Sequence, residues 1–92
     1  MKYEFHPAAL QEYAEAVQFF TQHDKQQDFI DTIENAIFRV IGPLERCPIV
    51  EGQIRRCVTL KFSHAILYRV YPDRIVIAAI ASCRRDPNYC LL

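Results

Sequence analysis

The sequence predicts an α+β fold of two layers, in which a helix hairpin packs on one face of a mainly antiparallel, four-stranded sheet. Three observations predict it. A short alternating segment opens the chain, apolar residues at helical spacing run through residues 8–41, and residues 53–83 have the composition of three successive strands. The chain has 92 residues, of which 51% are hydrophobic, so we expect a single domain over residues 1–92 with one core.

The first predicted element is a strand over residues 2–6, which places Tyr3 and Phe5 on one face because side chains alternate along a strand. Pro7 suits the first turn of a helix, where its missing N–H is not needed. A helix over residues 8–22 is predicted from apolar residues spaced three and four apart. Its stripe consists of Leu10, Tyr13, Ala14, Val17 and Phe20.

A second helix is predicted from Asp24 and Gln27, which have the spacing of a capping box, to Gly42 and Pro43, which end it. The few residues between the helices predict a hairpin whose apolar stripes need a further surface to cover. The second stripe consists of Phe29, Ile30, Ile33, Ala36, Ile37, Val40 and Ile41.

That surface is predicted from three strands, at residues 53–60, 62–71 and 74–83. Pro72 and Asp73 have turn chemistry and predict a hairpin between the last two strands. Residues 75–81 are apolar without alternation, which favours an interior strand that is covered on both faces at least in part. The predicted element order is therefore β-α-α-β-β-β.

The charge is zero overall but uneven along the chain. Residues 1–50 carry eight acidic and four basic side chains, whereas residues 51–92 carry three acidic and seven basic ones. A dipole of −4 against +4 indicates that the second half meets an acidic protein segment or a nucleic-acid backbone. No apolar run approaches the length of a membrane span, so we expect no membrane partner.

Familiar catalytic motifs are missing from the sequence. It has no P-loop, dinucleotide fingerprint, nucleophile elbow or HExxH motif, and its only glycines are Gly42 and Gly52. The four cysteines form no CxxC pair and the histidines are scattered, so we expect neither a metal site nor a cofactor. The N-terminus lacks the apolar segment of a signal peptide, which predicts a cytoplasmic protein with free buried thiols.

The remaining candidates are basic and aromatic side chains in the second half. They are Arg55, Arg56, Lys61, His64, Arg69, Arg84, Arg85 and Tyr89. A metal-free RNA-cleaving site needs a cation for the phosphorane charge and a Tyr, His or Lys that moves the 2′-OH proton. The alternative is structural: the arginines are solvated or paired with acids, His64 is a packed strand residue, and Tyr68 and Tyr71 belong to the core or its rim.

An ordered set of segments resembles the RelE/ParE superfamily of toxins from bacterial type II toxin–antitoxin modules. The set covers nearly the whole chain: the opening strand at residues 3–5 with Pro7, the helix hairpin, Arg55-Arg56, residues 62–70 (FSHAILYRV) and the ending at residues 81–89 (ASCRRDPNY). The ending is the most specific segment. Relatives usually follow it with Trp, where this chain has Cys90.

The resemblance implies two alternatives. RelE-like members are ribosome-dependent mRNA endonucleases, for which Lys61, Arg85 and Tyr89 are the candidate catalytic residues, although the expected sheet arginine falls at Ala65. ParE-like members are not enzymes and inhibit DNA gyrase by binding. A sequence pI near 6.8 favours the ParE-like alternative, since nucleases that act on the ribosome tend to be strongly basic.

Both alternatives imply a cognate antitoxin that folds on binding and covers the helix hairpin groove and a sheet edge, within a homodimer or a toxin–antitoxin hetero-oligomer. A third alternative is a relative that binds its antitoxin but is not toxic. The predicted partner-binding residues are Arg55, Arg56, Arg69, Arg84 and Arg85.

Overall fold

The computed structural model describes residues 2–42, 47–59 and 61–84. In chain order, its elements are β1 (Lys2–Phe5), α1 (Pro7–Gln22), α2 (Gln26–Ile41), β2 (Ile49–Glu51), β3 (Ile54–Val58), β4 (His64–Val70) and β5 (Arg74–Ser82). The strands form one sheet in the order β1-β5-β4-β3-β2, in which only the β1–β5 pair is parallel. The predicted α+β fold, two helices on a mainly antiparallel sheet, is confirmed, with one strand more than predicted.

The additional strand is β2. It spans three residues and is joined to β3 through Gly52, whose φ of 55° lies in the left-handed region that glycine adopts without a steric cost. Three residues are too few to show a period of two. The first strand predicted in this region therefore began at residue 53, and β2, its partner, was not predicted.

The core lies between the helices and one face of the sheet. All of the predicted α2 stripe is buried or half-buried, and Phe29 and Ile33 are fully buried. The α1 stripe is partly wrong, since Leu10 and Ala14 are exposed while Ala9 is fully buried. The predicted stripe favoured large apolar residues, whereas the side of α1 that faces the sheet begins with the small residue Ala9.

The start of α2 also differs from the prediction. Lys25 is the N-cap residue and provides no side-chain hydrogen bond, and Asp24 has a φ of 57°. Asp24 therefore occupies the left-handed turn that ends the connection, a conformation that Asp tolerates, instead of capping the helix. The predicted capping box is wrong.

Strand β5 is an interior strand, as predicted for residues 75–81, because it lies between β1 and β4. The predicted turn at Pro72 and Asp73 joins β4 to β5. β1 ends opposite Ile77, so none of the described strands lies on that side of the farther half of β5. There Glu12 of α1 takes the place of a strand, since its Oε1 accepts a hydrogen bond of 3.0 Å from the backbone N–H of Ile80.

Two further expectations concern membranes and thiols. Neither helix in the described part of the chain combines the length and the apolar composition needed to cross a bilayer. Cys47 and Cys57 are free thiols, as expected, but Cys83 is disulfide-bonded. The expectation for Cys83 is wrong because it rested on the redox compartment alone, and a sequence does not show which cysteines lie close together.

Candidate macromolecule-binding site

Strand register decides which predicted binding residues share a surface. Directly opposed residues in a sheet point to the same face, and neighbours along a strand point to opposite faces. Tyr68 and Ile66 belong to the core beneath the helices. Leu67 and Arg69 therefore lie on the face of the sheet that points away from α1 and α2, which we call the helix-free face. Arg56 is opposite Leu67 and therefore shares that face with Arg69.

Arg55 lies on the other face. It is opposite Tyr68, which points toward the helices, and its Nη1 donates a hydrogen bond of 2.7 Å to the carbonyl oxygen of Cys47. Arg55 therefore fixes the segment that enters β2. The predicted partner-binding set is thus divided between the two faces. Of its strand residues, Arg56 and Arg69 share one face, where Arg56 is 4% exposed and Arg69 is half-buried.

The helix-free face carries an aromatic ring between two guanidinium groups. Cζ of Arg69 is 4.9 Å, and Cζ of Arg74 is 4.7 Å, from the centroid of the Tyr71 ring. Both distances are within the range of about 6 Å in which a cation is attracted to a ring. We call Arg69, Tyr71 and Arg74 the arginine–tyrosine cluster.

The two arginines of the cluster differ in their partners. Nε of Arg74 donates a hydrogen bond of 2.5 Å to Glu4, and its Nη1 is 3.1 Å from Asp73 Oδ1. The hydrogen bond to Glu4 is the main reason why the pKa of Arg74 is raised. Arg69 is half-buried, its Nε is buried without a hydrogen-bond partner, and no carboxylate in the described ranges pairs with it. Among the described residues, the cluster therefore contains one guanidinium that is paired with carboxylates and one that is paired with none.

A second candidate region is a pocket of about 640 Å³ between α1, the start of β4 and the end of β5. Phe19, Phe20 and Phe62 form its apolar wall. Its polar lining includes Glu12, Glu15, His64, Ser82 and Arg84. Arg84 therefore lines this pocket together with the two carboxylates of α1.

His64 has a structural environment. The residue is buried, and its Nδ1 is 2.5 Å from the carbonyl oxygen of Phe62. Burial is the main reason why the pKa of His64 lies below its usual value, and the hydrogen bond opposes the shift. This environment agrees with a packed strand histidine rather than a proton carrier.

The loop before His64 is held in an unusual conformation. Phe62 and Ser63 have φ values of 66° and 49°, which are rare for residues with a side chain. Thr59 Oγ1 donates to the carbonyl oxygens of Lys61 and His64 and accepts from the His64 N–H, which closes the loop. The ring of Phe62 packs edge-on against Phe20, with centroids 4.9 Å apart.

The nuclease set proposed from the sequence is only partly within the described residues. Lys61 is exposed in the loop, whereas Arg85 and Tyr89 lie outside the described residues. Among the described residues, no group of three or more His, Cys, Asp or Glu side chains is placed to hold a metal ion.

Sequence reasoning missed Arg74 and Tyr71 as parts of a binding site. A usable signal was present, because a two-residue turn at Pro72 and Asp73 places the flanking residues side by side. The pairing of Glu4 with Arg74 had no such signal, since it depends on the parallel alignment of the first and last strands.

The chain resembles known proteins in sequence and in structure. A family model for the ParE toxin of type II toxin–antitoxin systems, parDE, matches residues 3–87. A solved chain from the chromosomal ParDE TA system of P. aeruginosa has a similar fold, with a TM-score of 0.66 over 89% of this chain and 95% of that one. The two are 11% identical, so this likeness concerns the fold alone. No curated protein sequence matches significantly.

Proposed function

We propose that this chain, which belongs to the ParE toxin family of type II toxin–antitoxin systems, acts by binding DNA gyrase in the cytoplasm and is neutralised by a cognate antitoxin. The toxin role follows from the family. The mode of action is supported by the helix-free face, where Arg69 carries a charge that no described carboxylate neutralises. Such a side chain suits contact with an acidic surface of a protein.

Arg69 is the residue that we expect to contribute most to this contact. Its guanidinium is already oriented by the Tyr71 ring, so less side-chain freedom is lost when a partner carboxylate binds. Arginines in such settings are frequent hot spots of protein interfaces. Arg56 shares the face, and Arg84 and Arg85 extend the proposed partner-binding set toward the end of the chain.

The gyrase proposal is tested with purified proteins in a DNA supercoiling assay. We expect the wild-type chain to inhibit supercoiling, and Arg69→Gln to require about tenfold more protein for half-inhibition. Arg74→Gln is the matched control, because it removes the same charge from the same ring but from a guanidinium already paired with Glu4 and Asp73. Equal losses in both variants would show that net charge matters and that the Arg69 site does not.

If the wild-type chain does not inhibit supercoiling, the gyrase proposal is wrong. Two further measurements then distinguish the RelE-like endonuclease from a non-toxic relative. Toeprinting of a translated message reports cuts in the ribosomal A site, and loss of those cuts in Arg85→Ala or Tyr89→Phe would establish the RelE-like endonuclease. Growth that continues after induction would establish a relative that binds an antitoxin without being toxic.

The antitoxin is expected to cover apolar side chains that the chain leaves exposed. Leu10 and Phe19 on α1, Phe38 on α2, and Ile49 and Val50 on the edge strand β2 are all large and exposed. Exposed apolar residues on both layers suit a partner that wraps around the molecule. Co-expression of the protein encoded by a neighbouring reading frame should restore growth. Phe38 is 68% exposed in the free chain, and Phe38→Asp should weaken that rescue.

A further inference from the structure

Two free cysteines face each other across the β2–β3 hairpin. Ile49 is opposite Arg55 in this antiparallel pair. The backbone N–H of Arg56 donates a hydrogen bond of 3.0 Å to the carbonyl oxygen of Pro48, so the register continues beyond the end of β2. One residue further along each strand, Cys47 is opposite Cys57.

The type of pairing at this position suits a disulfide. Because Pro48 and Arg56 form the hydrogen-bonded pair, the adjacent pair, Cys47 and Cys57, is a non-hydrogen-bonded one, in which the Cα atoms are about 4.5 Å apart and the side chains are closest. A disulfide bridges Cα atoms at about 4.4–6.8 Å. The hydrogen bond from Arg55 to the Cys47 carbonyl holds this segment against β3.

The surroundings of the two thiols differ. Cys57 is 5% exposed within the core, and Cys47 is half-buried at its rim, where solvent reaches it. Burial, together with a hydrogen bond to the Cys47 thiol, raises the pKa of Cys57 to about 11. Cys57 is therefore protonated at neutral pH, and Cys47 is the thiol that a small oxidant meets first.

We propose that Cys47 and Cys57 form an oxidation site, in which hydrogen peroxide converts the pair into a disulfide across the β2–β3 hairpin. This site is separate from the arginine–tyrosine cluster and does not depend on the identity of the toxin's target.

The reaction balances with one molecule of peroxide. The Cys47 sulfur attacks one peroxide oxygen, the O–O bond breaks, and a sulfenic acid and one water molecule result. The Cys57 sulfur then attacks the Cys47 sulfur, the S–O bond breaks, and the hydroxyl leaves with the Cys57 proton as a second water molecule. The two thiols lose two hydrogen atoms with their electrons, and the peroxide is reduced to water.

The disulfide closes a loop that contains β2 and the turn at Gly52. Since this cross-link restricts the unfolded chain and matches the register of the folded one, it should raise the melting temperature by about 10 °C. It also fixes β2, the strand at the free edge of the sheet, to its neighbour.

The experiment uses the full chain carrying Cys83→Ser and Cys90→Ser, so that only the proposed pair remains. After treatment with hydrogen peroxide, we expect that neither Cys47 nor Cys57 still reacts with a thiol reagent under denaturing conditions. Tryptic mapping should find residues 47–55 linked to residues 57–61, with loss of two hydrogen masses that dithiothreitol reverses. The wild-type chain is mapped in parallel, which covers the case that the double variant does not fold.

The matched control moves one thiol by a single residue, with Cys57→Ser and Val58→Cys in the same background. Val58 is opposite Ala65 on the helix-free face, so the displaced thiol points away from Cys47. We expect at least a tenfold slower intramolecular link in this control. Equal rates in the two proteins, a link that lowers the melting temperature, or thiols that survive peroxide would each overturn the proposal.

Discussion

The hydrogen bond between Glu12 and Ile80 gives a prediction about stability. Glu12→Ala removes the acceptor of the Ile80 N–H, which lies beyond the end of β1, where no described strand pairs with that side of β5. A partly buried donor without a partner costs about 1–3 kcal/mol of unfolding free energy. For a domain of this size each kcal/mol corresponds to about 4–8 °C, so the melting temperature should fall by roughly 5–20 °C.

The control is Glu15→Ala, which makes the same change one turn further along α1. Glu15 is exposed and, within the described part of the chain, its side chain accepts a hydrogen bond from Gln11 alone, so its loss should change the unfolding free energy by less than about 0.5 kcal/mol. Helix propensity changes equally in both variants and cancels. Glu12→Gln, which keeps a carbonyl acceptor, should fall between them. Thermal melts followed by circular dichroism decide, and equal melting temperatures for the two alanine variants would refute the reasoning.

Three further predictions concern the core and the loop before β4. Phe29→Ala should lower the unfolding free energy by about 3–5 kcal/mol in urea titrations because Phe29 is fully buried, whereas the exposed Phe38→Ala should have little effect. Ser63→Gly should raise it by up to about 1 kcal/mol, since φ is 49° there, while Ser82→Gly in a strand should lower it. The pKa of His64 is lowered by burial, so the unfolded chain takes up this proton first as the pH falls below about 6.5. Stability should therefore decline through that window, and His64→Asn should flatten the decline; an unchanged slope would contradict this account.

Sequence patterns predicted the helices and the longer strands because each carries enough residues to show its period. The predicted stripe of α2 forms one buried or half-buried face, while the apolar Phe38, which is not part of that stripe, is exposed. The failures are local and have physical causes. β2 is too short for a pattern, and the start of α2 depends on Asp24 adopting a left-handed conformation, which a capping motif does not reveal.

The candidate site was predicted less completely, because it depends on how strands align. Arg55 and Arg56 are neighbours in sequence and were predicted to belong to one partner-binding set, yet alternation along β3 sends them to opposite faces. The difference between Arg69 and Arg74 depends on Glu4, which β1 brings from the other end of the chain. The facing pair of cysteines likewise requires the register of a hairpin whose first strand went unrecognised.

The position of β5 between β1 and β4 has a consequence for biosynthesis. β1 is made before its partner β5, and both helices and the strands β2, β3 and β4 are translated between them. β1 gains its partner, and β4 its second neighbour after β3, once residues 74–82 have emerged from the ribosome, so the sheet closes late through contacts between distant parts of the chain. A nascent chain that stops before β5 lacks the strand that joins β1 to β4. We expect proteases to degrade such a chain before it binds a cellular target.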